Sequence, residues 1–381
     1  MRFLHTSDWH LGRLFGQTSL IEDQAHALAG LRVLLRDARP DALLIAGDVY
    51  DRAVPPPLAV ELFDDFLHAV SAELRLPVVI IAGNHDSPER LGFGARLLAR
   101  SGVHVAGKVR GALEPVVLED AHGRVHVLPL PYAEPAVVRE VFARADLHGH
   151  DAAMGAQLEA ARAQIPAGER SVLVAHAFVA GSEASGSERA LSVGGSDAVD
   201  AARMHGFSYV ALGHLHGPQR VGAENVRYSG SLLKYSFSEA THTKGVSLVT
   251  LDAAGACSVE QLALPTLRNL RKLRGTLAEV LAMGRTDPQR DDYLEVTLLD
   301  ERAVLDAMAR LREVYPNVIE FRRPALEQTG TGGASRDHRE VTTIDHFADF
   351  FEHVVGTPLD APQRTYLHAM LDTDAQRERT S

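Results

Sequence analysis

Short apolar runs that end in polar clusters dominate the first 250 residues of the chain. Continuous apolar runs of this length favour strands that are buried on both faces. Between the early runs, residues 58–74 repeat apolar side chains at helical spacing, which predicts a helix. The pattern therefore predicts an α/β layer fold with polar residues at the ends of its strands. The five clearest runs cover residues 3–6, 42–46, 78–82, 172–175 and 209–212.

The charge balance and the apolar pattern of the sequence change near residue 265. Residues 265–330 contain 11 basic and 11 acidic residues, although the whole chain carries a net charge of −11. Their pattern predicts a strand over 293–299, a helix over 301–314 and a strand over 318–322. A Gly-rich stretch then indicates a flexible linker. The predicted segments are a large α/β domain over 1–264, a small α/β domain over 265–327, a linker over 328–340, and a helical pair over 341–375 that is broken at 356–358.

Composition narrows the class of protein. The chain has 381 residues, of which 45% are apolar, so it can bury a large core. No apolar run approaches the roughly 18 residues that a membrane span needs. Cys257 is the single cysteine, which excludes an internal disulfide framework and a Cys-rich zinc site. These features predict a cytoplasmic protein in which histidine and carboxylate side chains hold any metal.

Five polar clusters follow the apolar runs and combine residue types that bind metals. Ligands bind at the carboxyl ends of strands in open α/β sheets, so the clusters are expected to converge. Carboxylates, one amide oxygen and imidazoles together suit two adjacent cations, and such mixed ligands favour manganese, iron or zinc over magnesium or calcium. One such pair alone would be weak evidence for a metal site, but the order and spacing of all five clusters together are a specific signal. The clusters are Asp8-x-His10, Gly47-Asp48-x-x-Asp51-Arg52, Gly83-Asn84-His85-Asp86, His176 and Gly213-His214-x-His216.

This order of motifs resembles the pattern of the calcineurin-like metallophosphoesterase superfamily. Residues 4–12, 47–51, 83–87 and 228–232 further resemble a family of bacterial nuclease subunits that act in double-strand-break repair. The resemblance covers nearly the whole chain. It implies a four-layer sandwich in which helices flank two packed mixed sheets. It also implies a small α/β capping domain that binds DNA and a C-terminal helical pair that binds a partner.

The resemblance also implies a role for each motif residue. His85 would be the acid that protonates the leaving group, and Arg52 would contact the substrate phosphate. Relatives carry histidine where this chain has Asp51, so Asp51 is expected instead to orient a ligand or His85. For Arg52, simple pairing with Asp51 remains an equal alternative. The implied metal ligands are Asp8, His10 and His216 for one cation, Asn84, His176 and His214 for the other, and Asp48 as the bridge.

The implied activity is hydrolysis of DNA by water that two divalent cations activate, with Mn²⁺ as the favoured ion. Both double-strand exonuclease and single-strand or hairpin endonuclease activity are expected. The chain contains no nucleotide-binding loop, so the resemblance places ATP hydrolysis in a coiled-coil ATPase partner. It also implies a homodimer formed through helices near 58–74 and 89–100, although those apolar stripes alone would favour packing on the sheet.

Two other functions remain open at this point. Residues 47–52 also resemble a motif of protein phosphatases, so a phosphomonoesterase or small-molecule phosphodiesterase is the main alternative. The third hypothesis is a non-catalytic scaffold whose metal site has decayed, but no ligand position is missing. The basic run at 268–274 and the additional domain favour a long polymer as the substrate, although a charged run is commonly a solvated face.

Overall fold

The computed structural model describes residues 1–188, 198–300 and 304–324, together with Ala348, Phe351, Leu359, Asp360 and Gln363. Contacts divide the chain into two compact units. The first unit comprises Met1–Leu298 and Val304–Arg322, and the remaining residues form the second. All helices and strands named below lie in the first unit. In the second unit, Asp360 and Gln363 exchange two backbone-to-side-chain hydrogen bonds in the manner of a helix capping box.

The first unit alternates strands and helices along its early part, as the apolar pattern predicts. The strands are β1 Arg2–Thr6, β2 Leu14–Phe15, β3 Thr18–Ser19, β4 Ala42–Ile45, β5 Val78–Ile81, β6 Val103–Ala106, β7 Val116–Asp120, β8 Gly123–Leu130, β9 Arg170–His176, β10 Tyr209–Gly213, β11 Gln219–Val221, β12 Ala223–Tyr228, β13 Gly245–Leu251, β14 Cys257–Ala263, β15 Leu270–Gly275, β16 Tyr293–Leu298 and β17 Val318–Arg322. The helices are α1 Ile21–Ala38, α2 Pro57–His68, α3 Pro88–Leu91, α4 Ala95–Leu98, α5 Pro135–Phe142, α6 Gly149–Arg162, α7 Leu277–Gly284 and α8 Ala307–Val314.

Two mixed six-stranded sheets form the centre of the unit. Their strand orders are β14-β13-β1-β4-β5-β6 and β11-β12-β10-β9-β8-β7. In the first sheet, β1, β4, β5 and β6 run parallel to one another. β13 pairs antiparallel with β1, and β14 pairs antiparallel with β13. In the second, β8, β9, β10 and β12 run parallel. Parallel strands place their carboxyl ends along one edge of each sheet, which positions the polar clusters together.

Alternate side chains of the central strands pack into different layers. Phe3 of β1 and Val172 of β9 point into one apolar layer shared by the two sheets. Leu4 packs with α1 and α2 on the outer side of the first sheet, and Leu173 packs with α6 outside the second. All four side chains are fully buried, and each such burial contributes about 1.5–3 kcal/mol. This arrangement of helix, sheet, sheet and helix confirms the predicted four-layer sandwich.

A third, smaller sheet follows the sandwich in sequence. Its three parallel strands have the order β15-β16-β17, and α7 and α8 share its apolar core. The strands predicted over 293–299 and 318–322 are confirmed. The helix predicted over 301–314 begins only at Ala307 among the described residues, because Asp306 adopts a left-handed conformation with φ +52°. Residues 301–303 lie outside the described part of the chain.

Ion pairs hold the small sheet to α1 of the sandwich. Arg268 contacts Asp23 at 2.8 Å and Glu22 at 2.6 Å, and the Tyr293 hydroxyl donates to the same buried Asp23 carboxylate at 2.8 Å. Arg271 pairs with Asp287 and Asp292, and Lys272 pairs with Glu295. Three of the four basic residues at 268–274 are therefore paired with nearby acids.

The apolar stripe over 58–74 forms one helical segment with a change of pitch. After α2 ends at His68, a π-helical turn covers Ala69–Glu73. Phe63, Phe66 and Val70 pack onto the first sheet, as the packing alternative expected. The predicted linker over 328–340 lies outside the described residues. So does the helical pair over 341–375, apart from five residues, of which Ala348, Phe351 and Gln363 are helical. The domain boundaries drawn from the sequence stay a prediction.

Among the described residues, every helix is too short or too polar to cross a lipid bilayer.

Candidate metal centre

Loops at the carboxyl ends of five strands bring all the predicted site residues together. Two loops follow β1 and β4, a third follows β5, and His176 and Gly213 are the last residues of β9 and β10. Hydrogen bonds join the loops both within the first sheet and between the two sheets. The amide of Asp8 donates to the carbonyl of Gly47 at 3.0 Å, and the amide of His214 donates to the Asp8 carboxylate at 2.9 Å. The predicted convergence is thus a feature of the fold.

The first group of ligand atoms consists of Asp8, His10 and His216. All three residues are buried, and their ligand atoms lie within 4.8 Å of one another. The Nε2 atoms of His10 and His216 are 3.0 Å apart. Ser7 donates a hydrogen bond of 2.6 Å to the Asp8 carboxylate, which fixes its orientation. A carboxylate oxygen and two imidazole nitrogens in this arrangement are a suitable ligand set for a divalent cation.

The second group consists of Asn84, His176 and His214. The Oδ1 atom of Asn84 lies 2.9 Å from Nε2 of His176 and 3.1 Å from Nδ1 of His214. The other nitrogen of His176, Nδ1, donates to the carbonyl of Ala46 at 2.9 Å, which leaves Nε2 with a free lone pair. Two acceptor atoms then face each other at hydrogen-bond distance. A bound cation would satisfy both, so the residues fit a metal.

Asp48 lies between the two groups. Its Oδ2 atom is 3.5 Å from Nε2 of His176 and 3.7 Å from Nε2 of His10, which belong to different groups. Its Oδ1 atom accepts a hydrogen bond of 2.8 Å from the amide of His85. Asp48 also forms a candidate ligand cluster with Asp8 and His176. This central position suits a carboxylate that contacts two cations.

The backbone of the site is strained in a way that sequence patterns do not reveal. Four ligand residues have positive φ: Asp8 at +53°, His10 at +45°, Asp48 at +50° and His214 at +104°. Such conformations cost about 1–3 kcal/mol each and concentrate at functional sites. The glycine of the Gly-Asn-His-Asp motif has a steric role, since a Cβ atom at Gly83 would collide with the Asp48 carboxylate.

His85, Asp51 and Arg52 lie beside the ligand groups. Nδ1 of His85 is 2.8 Å from the backbone carbonyl of Asp51, and its ring meets the His10 ring edge to face with centroids 4.7 Å apart. The Asp51 carboxylate lies 3.6 Å from Nδ1 of His10 and 3.5 Å from Nη1 of Arg13. The guanidinium of Arg52 is more than half exposed and lies 3.9 Å from Asp51. That contact matches the pairing alternative and leaves the side chain accessible.

Burial determines the protonation states of the ligands. It lowers the pKa of His10 and of His214 well below 6.5, and the neighbouring imidazoles lower both further. Burial also raises the pKa of Asp8, and the adjacent negative charge of Asp48 adds to that effect. His10 and His214 are therefore neutral near pH 7, which is the form that binds metal. Two adjacent buried carboxylates without a cation are unfavourable, which is a further reason that the site fits a metal.

Several supporting residues were missed by sequence reasoning. Asp86 belongs to a recognised motif, yet the motif alone gave it no role. Its carboxylate accepts hydrogen bonds from the amides of Val49, Tyr50 and Gly83, so it ties two metal-site loops together. Burial and the charge of Asp48 raise the pKa of Asp86 to about 7. The motif itself was the available signal for this residue.

No sequence motif indicates the roles of Gln24 and of a group of residues behind His216. The Gln24 amide donates to the carbonyl of His10 at 2.7 Å and accepts from the amide of Gly12 at 3.0 Å, which braces the first ligand loop from α1. Ser187, Glu239 and Lys244 meet behind His216, although Ser187 lies 52 residues before Glu239 in sequence. Only the folded chain brings them together.

Comparison with family models gives two matches. Residues 1–218, more than half of the chain, match the model described as "Calcineurin-like phosphoesterase". Residues 266–355 match the model described as "Type 5 capsule protein repressor C-terminal domain".

The chain is also similar to individual proteins. It shares 29% identity with SbcD, a subunit of the nuclease SbcCD, from Staphylococcus epidermidis, and the alignment covers 99% of this chain and 100% of that relative. A solved structure from Thermus thermophilus has a TM-score of 0.39 and 16% identity, covering 68% of this chain and 98% of its own. A dimetal phosphatase from Danio rerio has a TM-score of 0.37 and 13% identity, covering 70% of this chain and 98% of its own.

Proposed function

Because the chain belongs to the calcineurin-like phosphoesterase family, we propose that it is a metal-dependent nuclease that hydrolyses phosphodiester bonds in DNA. The observation that carries the proposal is the pair of ligand groups on either side of Asp48. Similarity over the full length to a relative named as a nuclease subunit supports DNA as the substrate. A protein with this substrate would act in the cytoplasm of a bacterial cell, in DNA repair, recombination and replication.

The proposed reaction uses each residue of the site in a defined way. Bound divalent cations would activate a water molecule and neutralise charge on the phosphate. Asp8, His10 and His216 would hold one cation, and Asn84, His176 and His214 the other, with Asp48 between them. Manganese suits this mixture of imidazole, amide and carboxylate ligands.

Three further residues would act on the substrate or on its neighbours. His85 lies beside the ligands with its Nδ1–H bound to a carbonyl, so as an imidazolium it would give its Nε2 proton to the departing oxygen. Asp51 would steady His85 through its backbone and His10 through its carboxylate. The exposed guanidinium of Arg52 would contact a phosphate oxygen, and its 3.9 Å approach to Asp51 leaves it free to do so.

We propose an SbcC-type coiled-coil ATPase as the partner, bound through residues 341–375 beyond the linker at 328–340. The full-length relative is named as one subunit of the nuclease SbcCD, which supports an assembly with a second kind of subunit. In this proposal, residues 1–264 form the nuclease domain and residues 265–327 form a capping domain that contacts DNA.

We also propose a homodimer formed by the helical segments near 58–74 and 89–100. Leu58, Phe93 and Leu97 in these segments are 61%, 86% and 71% exposed, so they are not used by the core of a single chain. Exposed large apolar side chains of this kind favour an interface. Sedimentation at micromolar concentration tests this part, since a monomer there would contradict it.

A comparison of two substrates separates the proposal from its alternatives. The purified protein is incubated with manganese and either linear duplex DNA or a generic phosphate ester. The proposal predicts digestion of DNA that stops when the metal is chelated. Activity on the ester alone would indicate a phosphomonoesterase or a small-molecule phosphodiesterase. No activity on either substrate, with metal bound, would indicate a non-catalytic scaffold.

A further inference from the structure

A chain of polar residues lies behind His216, on the side away from the other candidate ligands. The Nδ1 atom of His216 is 2.5 Å from the hydroxyl of Ser187, and that hydroxyl is in hydrogen-bond contact with Oε1 of Glu239. The other oxygen of Glu239 accepts from Nζ of Lys244 at 2.5 Å. Glu239 is fully buried, and Lys244 is nearly so. The chain therefore runs from the buried His216 imidazole, through the partly exposed Ser187 hydroxyl, to a buried ion pair.

The directions of these hydrogen bonds follow from the chemistry of the groups. A carboxylate only accepts, so the Ser187 hydroxyl donates to Glu239 and must accept from Nδ1–H of His216. The proton of the His216 ring is thereby held on Nδ1, and Nε2 faces His10 with its lone pair. A histidine that binds metal through one nitrogen commonly donates its other N–H to a carboxylate, directly or through an intermediate group.

Lys244 makes this buried carboxylate possible. Its ammonium donates to Glu239, to the hydroxyl of Ser231 at 2.9 Å and to the backbone carbonyl of His216 at 2.7 Å, so all three of its protons are used. Burial alone would raise the pKa of Glu239, but the nearby His216 and the charge of Lys244 hold that pKa below its usual value. Lys244 thus fixes the backbone of the ligand loop as well as the charge of Glu239.

The loop that carries Ser187 is anchored at the same place. The amide of His216 donates to the Glu188 carboxylate at 2.9 Å, and the amide of Gly186 donates to the Ser238 hydroxyl at 2.9 Å. Arg13 donates to the carbonyl of Ser187 at 3.2 Å. Segments that follow β9, β10 and β12 therefore meet around the imidazole of His216. Contacts from three segments are more than would be needed to hold a single loop.

We infer that Glu239 is a positioning residue that acts through Ser187 to hold His216 in the orientation and tautomer needed for one of the two cations, with Lys244 as its charge partner. The inference rests on the proposed metal-dependent function and adds residues that lie outside the ligand set. It assigns the effect to one cation only, because Asn84, His176 and His214 have no contact with this chain of hydrogen bonds among the described residues.

Manganese titration of the full-length protein by calorimetry tests the inference without reference to activity. The variants are Ser187→Ala and Glu239→Gln, and the matched control is Asp120→Asn, a carboxylate that pairs with the buried Arg170 far from the site. Both test variants are expected to weaken one of two manganese sites by about 10- to 100-fold and to leave the other unchanged. The control should bind both ions as the wild type does. Excess manganese should restore DNA hydrolysis by both test variants.

Wild-type affinity at both sites in Ser187→Ala and Glu239→Gln would overturn the inference while leaving the proposed function intact. Equal weakening of both sites, or the same loss in Asp120→Asn, would point to general destabilisation and would also overturn it. If Glu239→Gln does not fold, Ser187→Ala decides alone, because it keeps the ion pair and leaves Glu239 3.6 Å from His216, too far for a hydrogen bond. A wild-type protein that binds no manganese would instead overturn the proposed function and this inference together.

Discussion

The Nδ1 atom of His85 lies 2.8 Å from the backbone carbonyl oxygen of Asp51, not from its carboxylate. Since a carbonyl oxygen only accepts, Nδ1 donates, and Nε2 is the nitrogen available for proton transfer. The place of His85 beside the ligands thus depends on the backbone at position 51. A chain with aspartate there can hold His85 as firmly as one with another residue.

We expect His85→Ala to lose activity but keep its metals. Loss of a general acid lowers the rate by about 10²–10⁴-fold, whereas His85 contributes no atom to either ligand group as proposed. The measurement pairs DNA hydrolysis under saturating manganese with a manganese titration. His122→Ala, which removes an exposed histidine, is the control and should change neither. Loss of manganese would identify His85 as a ligand, and full activity would remove it from the mechanism.

His5 predicts how stability depends on pH. Its ring lies between the two sheets and contacts the Tyr209 hydroxyl at 2.9 Å and the Leu212 carbonyl at 3.2 Å. Burial lowers the pKa of His5 to about 3. In the unfolded chain its pKa is near 6.5, so the unfolded state binds the extra proton first as the pH falls. The contribution of neutral His5 to the free energy of unfolding is therefore fully present above about pH 6.5 and is lost as the pH falls from that value towards 3.

Chemical denaturation at two pH values measures this effect. Between about pH 7.5 and pH 5, His5 alone should lower the free energy of unfolding by about 2 kcal/mol. His5→Gln removes the titrating group and keeps polar atoms in the same place, so the loss on acidification should be smaller by that amount. An identical loss in both proteins would mean that His5 does not carry the pH dependence, and that other buried histidines do.

The strands and the convergence of the candidate ligands could be predicted from local patterns, whereas the four layers and the role of each residue were implied by the family resemblance. Apolar runs predict the buried strands, and residues that follow parallel strands meet at one edge of a sheet. Asp8, Asp48 and His176 thus come together from sequence positions far apart. The sequence predicts helix through 304–306, but the described helix α8 begins at Ala307, because Asp306 adopts a left-handed conformation that apolar spacing could not reveal.

The support behind the ligands could not be predicted in the same way. Ser187, Glu239 and Lys244 have no mutual spacing that suggests contact, and their hydrogen bonds depend on how three loops pack after folding. The strained backbone at His10 and His214 is likewise a product of tertiary structure, since neither residue type favours positive φ strongly enough to predict it. The basic run at 268–274 suggested a surface for DNA, but tertiary ion pairs neutralise most of it.

Deletion of residues 341–375 should separate catalysis from assembly. Apolar residues in this segment recur near helical spacing, and an apolar helical face is a common way to bind a partner. The truncated protein should hydrolyse simple esters and DNA ends with manganese as before, but it should no longer co-purify with the coiled-coil ATPase. Complex formation with undiminished affinity would place the docking site elsewhere. The apolar positions are Val341, Ile344, Phe347, Phe350, Phe351, Val354 and Val355.

The metal content of Asp48→Asn tests the central claim most directly, because Asp48 is the residue proposed to contact both cations. The substitution removes one charge and changes the shape of the side chain little. Manganese bound per chain is measured by elemental analysis after equilibrium dialysis, with Asp64→Asn, an exposed side chain on α2, as the control. We predict two ions in the wild type and the control, and loss of tight binding in Asp48→Asn. Two tightly bound ions in Asp48→Asn would contradict a metal centre built around this carboxylate.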